Sequence, residues 1–226
     1  MPGCSPRCSA RPLPRVDATG LRVGVVRTLF EAAQVDVAAA CEAALESAGW
    51  AAHDVTVDHL ELAGAAGSVR LMSEAGSPPP ALLAALSPAT RRVMLAAMLL
   101  PASAVPRADR VRAAVRHAVA GLLGEVDLLA WPAAPAPAPP LADLTVELPA
   151  GRLPADLANV RFAVLANVCG VPAISVPVGF DPRSGMPIGL QLVAPWGGEQ
   201  RLLDAAAHLE EATGRAHVDL IPPLAR

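Results

Sequence analysis

No lysine occurs in the 226 residues; all 18 basic side chains are arginine. Guanidinium groups stay protonated, so the chain has no side-chain amine to serve as a proton acceptor. Tyrosine is absent as well, and with only three phenylalanines and three tryptophans the core must be largely aliphatic. Much of the 53% hydrophobic content is alanine, which favours helices but buries little area per residue. Cysteine is sparse: Cys4, Cys8, Cys41 and Cys169 lack the regular spacing of a secreted disulfide scaffold and fit a reducing cytoplasm. Cys4 and Cys8 resemble half of a metal site, yet no second Cys or His pair stands at a useful spacing, and their Pro, Arg and Ser neighbours read as disorder. Long apolar runs are missing too. The longest, Val93 to Pro106, is broken by Pro101 and Ser103 and is too short to cross a bilayer as a helix. Residues 1–20 carry no secretory signal. A soluble cytoplasmic protein is expected.

A net charge of -3 gives no attraction for nucleic acid or an anionic membrane. Arg107, Arg110, Arg112 and Arg116 cluster, but on a helix whose other face carries Val111, Val115 and Val119, which reads as a solvated charged face. No metal or cofactor is expected. His53 and His59 flank a strand with Asp54 and Asp58 beside them without forming a recognisable ligand set. Val23-Gly24-Val25-Val26-Arg27 lacks the glycine-rich turn of a dinucleotide site.

Leu21 to Val26 reads as a buried strand, Val35 to Ala48 as a helix stopped by Gly49, and Trp50 to Val57 as a second strand, together a parallel βαβ unit. Leu60 to Met72 predicts a helix with a weak middle, and Gly76 to Pro80 a break. Two or three helices follow to Leu123, interrupted near Pro101 and Pro106. Val126 to Trp131 is another strand, leading into the five prolines of Pro132 to Pro140, either a linker or an arm packed along the surface. Ala155 to Val168 predicts a helix with Leu157, Val160, Val164 and Val168 on one stripe, ended by Gly170. Pro172 and Pro177 confine the next strand to Ala173–Val176. A turn at Phe180 to Gly185 and a strand from Ile188 to Val193 follow. Leu202, Leu203, Ala206, Leu209 and Thr213 then mark an amphipathic helix, with His208 facing solvent.

Asn167-Val-Cys-Gly-Val-Pro172-Ala-Ile-Ser-Val-Pro177-Val-Gly179 and Gly185-Met-Pro-Ile-Gly189-Leu-Gln191-Leu-Val193 resemble the C-terminal core of the amidase signature family. Asp127-Leu-Leu-Ala-Trp-Pro132 resembles that family's strand into a Pro-Thr-x-Pro turn, with Ala133 in place of threonine, and the likeness extends weakly to about residue 15. It implies an α/β fold: the C-terminal portion of an α/β/α sandwich, with a mixed, mostly parallel central sheet and helices on both faces. The expected divisions are a disordered or non-native tail over 1–16, a partial amidase-like domain over 17–215 and a C-terminal tail over 216–226.

The resemblance also implies carboxamide C–N hydrolysis by a serine nucleophile, a second serine in a cis peptide and a lysine base, with backbone N–H groups of a Gly/Ser-rich loop stabilising the oxyanion. Neither the lysine nor that loop is in this sequence; Gly64-Ala-Ala-Gly67-Ser68 is a poor imitation, so no catalytic residue is assigned. Ser175 reads as a packing residue with its hydroxyl on backbone. None of His53, His59, His117, His208 and His217 sits in a nucleophile motif, and Glu210 and Glu211 point different ways on a helix. The site residues implied are Asn167, which either fixes neighbouring loops or contacts substrate, and Gly170 and Pro172, which shape the turn. Val160-Arg161-Phe162-Ala163 stands where the tRNA-amidotransferase branch has Asp-Ile-Phe-Thr, which argues against glutamine as substrate.

Three readings of the chain are open. In the first it is the C-terminal half of an amidase, inactive alone, and acts on a small amide only when assembled with a complementary N-terminal half or as a homo-oligomer. In the second it is a non-catalytic binding module on a degenerate amidase scaffold. The third is an incomplete reading frame. An orphaned half should leave an apolar face or an open sheet edge.

Overall fold

The computed structural model describes residues 15–76 and 78–214. The expectations for Cys4, Cys8, His217 and nearly all of both tails lie outside the described residues.

A five-stranded sheet runs in the order β2-β1-β3-β7-β6, from β1 (Arg22–Val26), β2 (Ala51–Val55), β3 (Leu128–Pro132), β6 (Ala173–Phe180) and β7 (Pro187–Val193). β1 pairs in parallel with β2 and β3, and β7 runs antiparallel to both β3 and β6. Four of the five strands therefore share one direction, and the mixed, mostly parallel sheet is the one the sequence implies. β3 is buried at every position, as its uninterrupted apolar run requires of a strand covered on both faces. Arg22 locks the start of β1 to the start of β3, its Nε 3.1 Å and its backbone N 3.0 Å from Oδ2 of Asp127.

Helices cover both faces. α1 (Arg27–Ala32) leads into α2 (Val35–Ser47), which packs with α8 (Glu199–Ala212) on one side. Cys41 of α2 approaches Gly189 O at 3.7 Å, and burial pushes its thiol up to about 12, so it serves as a small apolar residue. The other side holds α3 (Leu60–Ala75), α5 (Pro88–Ala97), α6 (Ala104–Glu125) and α7 (Ala155–Cys169), with the short α4 (Pro80–Ala85) beside α5. Trp131 of β3 donates its indole N–H to Phe162 O of α7 at 3.0 Å, a fully buried bond that fixes that helix on the sheet. One largely aliphatic cluster, which also takes in Phe30, Trp50, Trp131 and Phe162, joins β1, β3 and β7 to α2, α6, α7 and α8.

Several expectations are corrected. Pro106 does not interrupt a helix; it sits in the first turn of α6, where its missing N–H would have no intrahelical acceptor. β6 runs on through Pro177 to Phe180, because among the described residues it is an edge strand whose outer side needs no donor, and a bulge at Pro177/Gly179 absorbs the irregularity. On α7 the stripe is different: Leu157 and Val160 are exposed, and Phe162, Leu165, Ala166 and Cys169 join Val164 and Val168 in the core. Leu203 of α8 is likewise exposed, with Ala205 buried instead. His208 is half-buried, stacked on Trp50 at 5.8 Å and bonded to Ala48 O at 2.9 Å. After the proline-rich arm comes an unanticipated hairpin, β4 (Thr145–Leu148) with β5 (Gly151–Pro154), over a small cluster of Ala136, Val146 and Ala158.

Candidate functional site

Three helices enclose a groove of about 470 Å³. Each contributes one stripe. From α3 come Gly67, Arg70, Leu71 and Glu74, and from α7 come Val160, Ala163, Val164 and Asn167, all at the i, i+3, i+4, i+7 spacing of a single helical face. Arg112 of α6 closes the end, and a second groove lined by Arg70, Asp109, Arg112, Ala113 and Arg116 continues along that helix. The α3–α7 approach depends on Gly67: a Cβ there would stand 2.5 Å from Cγ2 of Val164 and 3.1 Å from Cγ1 of Val168.

The floor is apolar and the rim charged. Arg70 holds Glu74 at 2.7 Å and Asp109 at 3.6 Å. Arg112 donates its Nε to Val168 O at 2.8 Å, satisfying a carbonyl in the last turn of α7 and placing positive charge at that helix's negative end. Arg116 lies over the Trp196 ring, 5.2 Å from its centroid. Among the described residues, neither Arg112 nor Arg116 has a carboxylate within 4.0 Å. Both charges act on Cys169, whose thiol burial nevertheless pushes up to about 11. The solvated-face reading thus holds for Arg107 and Arg110, which are exposed, and fails for Arg112 and Arg116, which are half-buried and engaged.

Of the three site residues read from the sequence, the groove takes in one. Asn167 lines it from α7. Gly170 lies just beyond, ending α7 at φ +68°, with its N–H on Ala166 O at 2.8 Å. Pro172 follows, its carbonyl accepting from Ala194 N at 3.1 Å where β6 begins and β7 ends. Gly64 to Ser68 lie within the continuous α3, with no loop of backbone donors. Ser175 is exposed on β6 instead of packed inside, opposite Gln191. Gly189 leaves room for that hydroxyl: a Cβ at 189 would meet Ser175 Oγ at 2.8 Å and Ala133 Cβ at 3.3 Å. Gln191 shares this face and buries an Nε2 that has no partner among the described residues. A lone amide inside the apolar run Ile188 to Val193 is the sequence signal that marks it. His53, His59 and His117 are exposed, and no group of three His, Cys, Asp or Glu among the described residues could hold a metal ion. None of the described helices is long and apolar enough to cross a membrane.

A two-sided α/β sandwich, an Asn-x-x-Gly-x-Pro-Ala turn and a groove along α7 define a class of protein, and comparison with known proteins gives the same one. The Amidase family profile matches residues 6–203. The chain belongs to the amidase family. It is 43% identical over 115 residues to a glutamyl-tRNA(Gln) amidotransferase subunit of Thermus thermophilus, covering 50% of this chain and 22% of that protein. To the 2-amino-5-chloromuconic acid deaminase of Comamonas testosteroni it is 40% identical over 105 residues, covering 46% and 22%. A crystal structure of an amidase superposes with TM-score 0.75 at 28% identity, over 88% of this chain and 47% of the other. A structure described as a vestigial protein complex revealing the origins of an s-triazine catabolic enzyme gives TM-score 0.76 at 28% identity, over 86% and 43%. The chain thus spans little more than a fifth of the length of these curated relatives and less than half that of the solved structures.

Proposed function

We propose that these residues form the scaffold and one wall of a carboxamide-hydrolysing site whose attacking hydroxyl and proton-accepting amine come from polypeptide outside the 226 residues. The observation that carries this reading is the absence of lysine from a chain that belongs to the amidase family. A serine hydroxyl is a weak nucleophile until a neighbouring base accepts its proton. Ser68 in the groove and Ser175 on β6 have no lysine to turn to, and the arginines that line the groove cannot give up a proton.

Exposed apolar side chains on the groove side support the assembly: Leu71 is 71% exposed, Leu157 58% and Val160 46%. So do the bare residues Ala173, Ser175 and Pro177 of β6, on the sheet face where Gln191 leaves a donor unmet. Within the assembled site Asn167 orients or contacts the amide, while Gly170 and Pro172 hold the α7–β6 turn. The partner is a polypeptide equivalent to the N-terminal amidase half, or a second copy of this chain. A cytoplasmic setting fits the two buried free thiols, Cys41 and Cys169.

The test is ammonia release from a panel of simple carboxamides, first by the purified chain and then after co-expression with an N-terminal amidase half. The chain alone is expected to match the buffer blank, and the pair to form a complex that turns over. Hydrolysis by the chain alone, abolished by changing one of its own side chains, would overturn the reading. The continuous core favours a second reading, a stable binding module. Failure to associate, together with cooperative unfolding and no binding of a hydrophobic dye, would select it.

A further inference from the structure

We infer that the groove between α3, α6 and α7 is a binding site for a small organic carboxylate, held at its α6 end by Arg112 and Arg116. The inference goes beyond the amide chemistry and does not depend on it. Four lining positions of α6, Asp109, Arg112, Ala113 and Arg116, follow one another along the groove, so its character changes from mixed to cationic over two turns. At the Asp109 end the charges cancel locally, because Arg70 lies between Glu74 and Asp109 and takes up both carboxylates. At the other end two half-buried guanidinium groups stand without a carboxylate among the described residues. The carbonyl end of α7 offsets part of the Arg112 charge, about half a unit for a full helix terminus, whereas Arg116 meets the face of Trp196 and, among the described residues, no carboxylate.

Orientation is built in. With Nε bonded to Val168 O, the Arg112 plane is fixed, which favours a planar, two-oxygen acceptor over a point charge. Arg116 rests on the Trp196 ring, 5.2 Å from its centroid. Val164 beneath, with the exposed Ala163 and Leu71 beside it, suits a short carbon skeleton better than a fully hydrated inorganic anion. Asn167 and Ser68 add neutral donors and acceptors at the wall.

Succinate is the probe, titrated into the full chain at low ionic strength by calorimetry and by tryptophan fluorescence. Trp196 is the reporter, since it is partly exposed beneath Arg116 while Trp50 and Trp131 are buried. Saturable binding in the millimolar range is expected, weakened about fivefold or more by Arg116→Gln and changed less than about twofold by Arg107→Gln, an exposed control on the same helix. Arg112→Gln should also weaken binding, but it removes the bond to α7, so its melting temperature is measured alongside; Arg116→Gln leaves that bond in place. Succinamide, the neutral analogue, should not bind at about tenfold higher concentration. Equal binding of succinamide, phosphate binding as tight as succinate, or indistinguishable behaviour of the Arg116 and Arg107 variants would each overturn the site.

Discussion

Gly67 sets the width of the groove by having no side chain, since the space a Cβ would need is already held by methyl groups of Val164 and Val168. Gly67→Ala gains helix propensity but must push α3 from α7. A net loss of roughly 1–3 kcal/mol is expected in urea unfolding, as for other overpacked contacts. A second residue-scale prediction concerns pH. The hydrogen bond from Arg22, with further help from the Arg22 and Arg201 charges, holds the Asp127 carboxyl below the usual carboxylate range despite burial. A depressed folded pKa means the unfolded chain takes up the proton first. The contribution is therefore complete above roughly pH 4 and lost as pH falls through the folded value. Asp127→Asn should lower the melting temperature at neutral pH, and its gap to the parent should close in acid; a gap constant across that range would refute the ion-pair account. The same scale shows why Arg112 and Arg116 depart from a solvated face: periodicity separates the charged side of α6 from its valines but does not reveal that α7 ends against that side.

Elements are legible where a chain signal coincides with a backbone requirement. α7 stops at Gly170 because that residue must adopt a left-handed conformation, which costs other residues roughly 1–2 kcal/mol. Gly170→Ala should lose about that much stability in thermal unfolding, with the α7–β6 turn the first region to lose hydrogen-exchange protection. The parallel β1–α2–β2 unit is readable for the same kind of reason, a buried run, a helical period and a stop. Less readable is which side of α7 faces inward. Apolar residues occur all round it, and Trp131, Phe162 and the sheet settle a choice that spacing leaves open. Pro177 misleads for a topological reason, since a proline forbids only central pairing and the sequence does not say which strand lies at the border. The β4–β5 hairpin escapes notice because its strands are four residues each and lie beside a proline tract that dominates the local pattern.

At the scale of the whole molecule, family resemblance and chemistry are readable separately: the Asn167 to Val193 segment carries the first, and the missing lysine restricts the second. The exposed Leu71, Leu157 and Val160 lead to a further expectation. The native chain should enhance the fluorescence of a hydrophobic dye while still unfolding cooperatively, and association with an N-terminal amidase half should remove that signal. A complex that forms with the dye signal intact would mean that the partner docks elsewhere.

The sheet order has a consequence for self-association. Among the described residues β2 and β6 each offer one flank on which another extended segment could hydrogen-bond, but the two flanks are guarded unequally. At β6 the Pro177 ring and the adjoining bulge interrupt the row of donors midway. At β2 the guard is a charged clasp in which Arg27 grips Asp54 at 2.7 Å. Salt loosens a clasp of that kind and leaves a proline untouched. A visiting strand in a saline, concentrated solution would therefore zip onto Ala51–Val55 first, and fibre growth, if provoked, would start from that side.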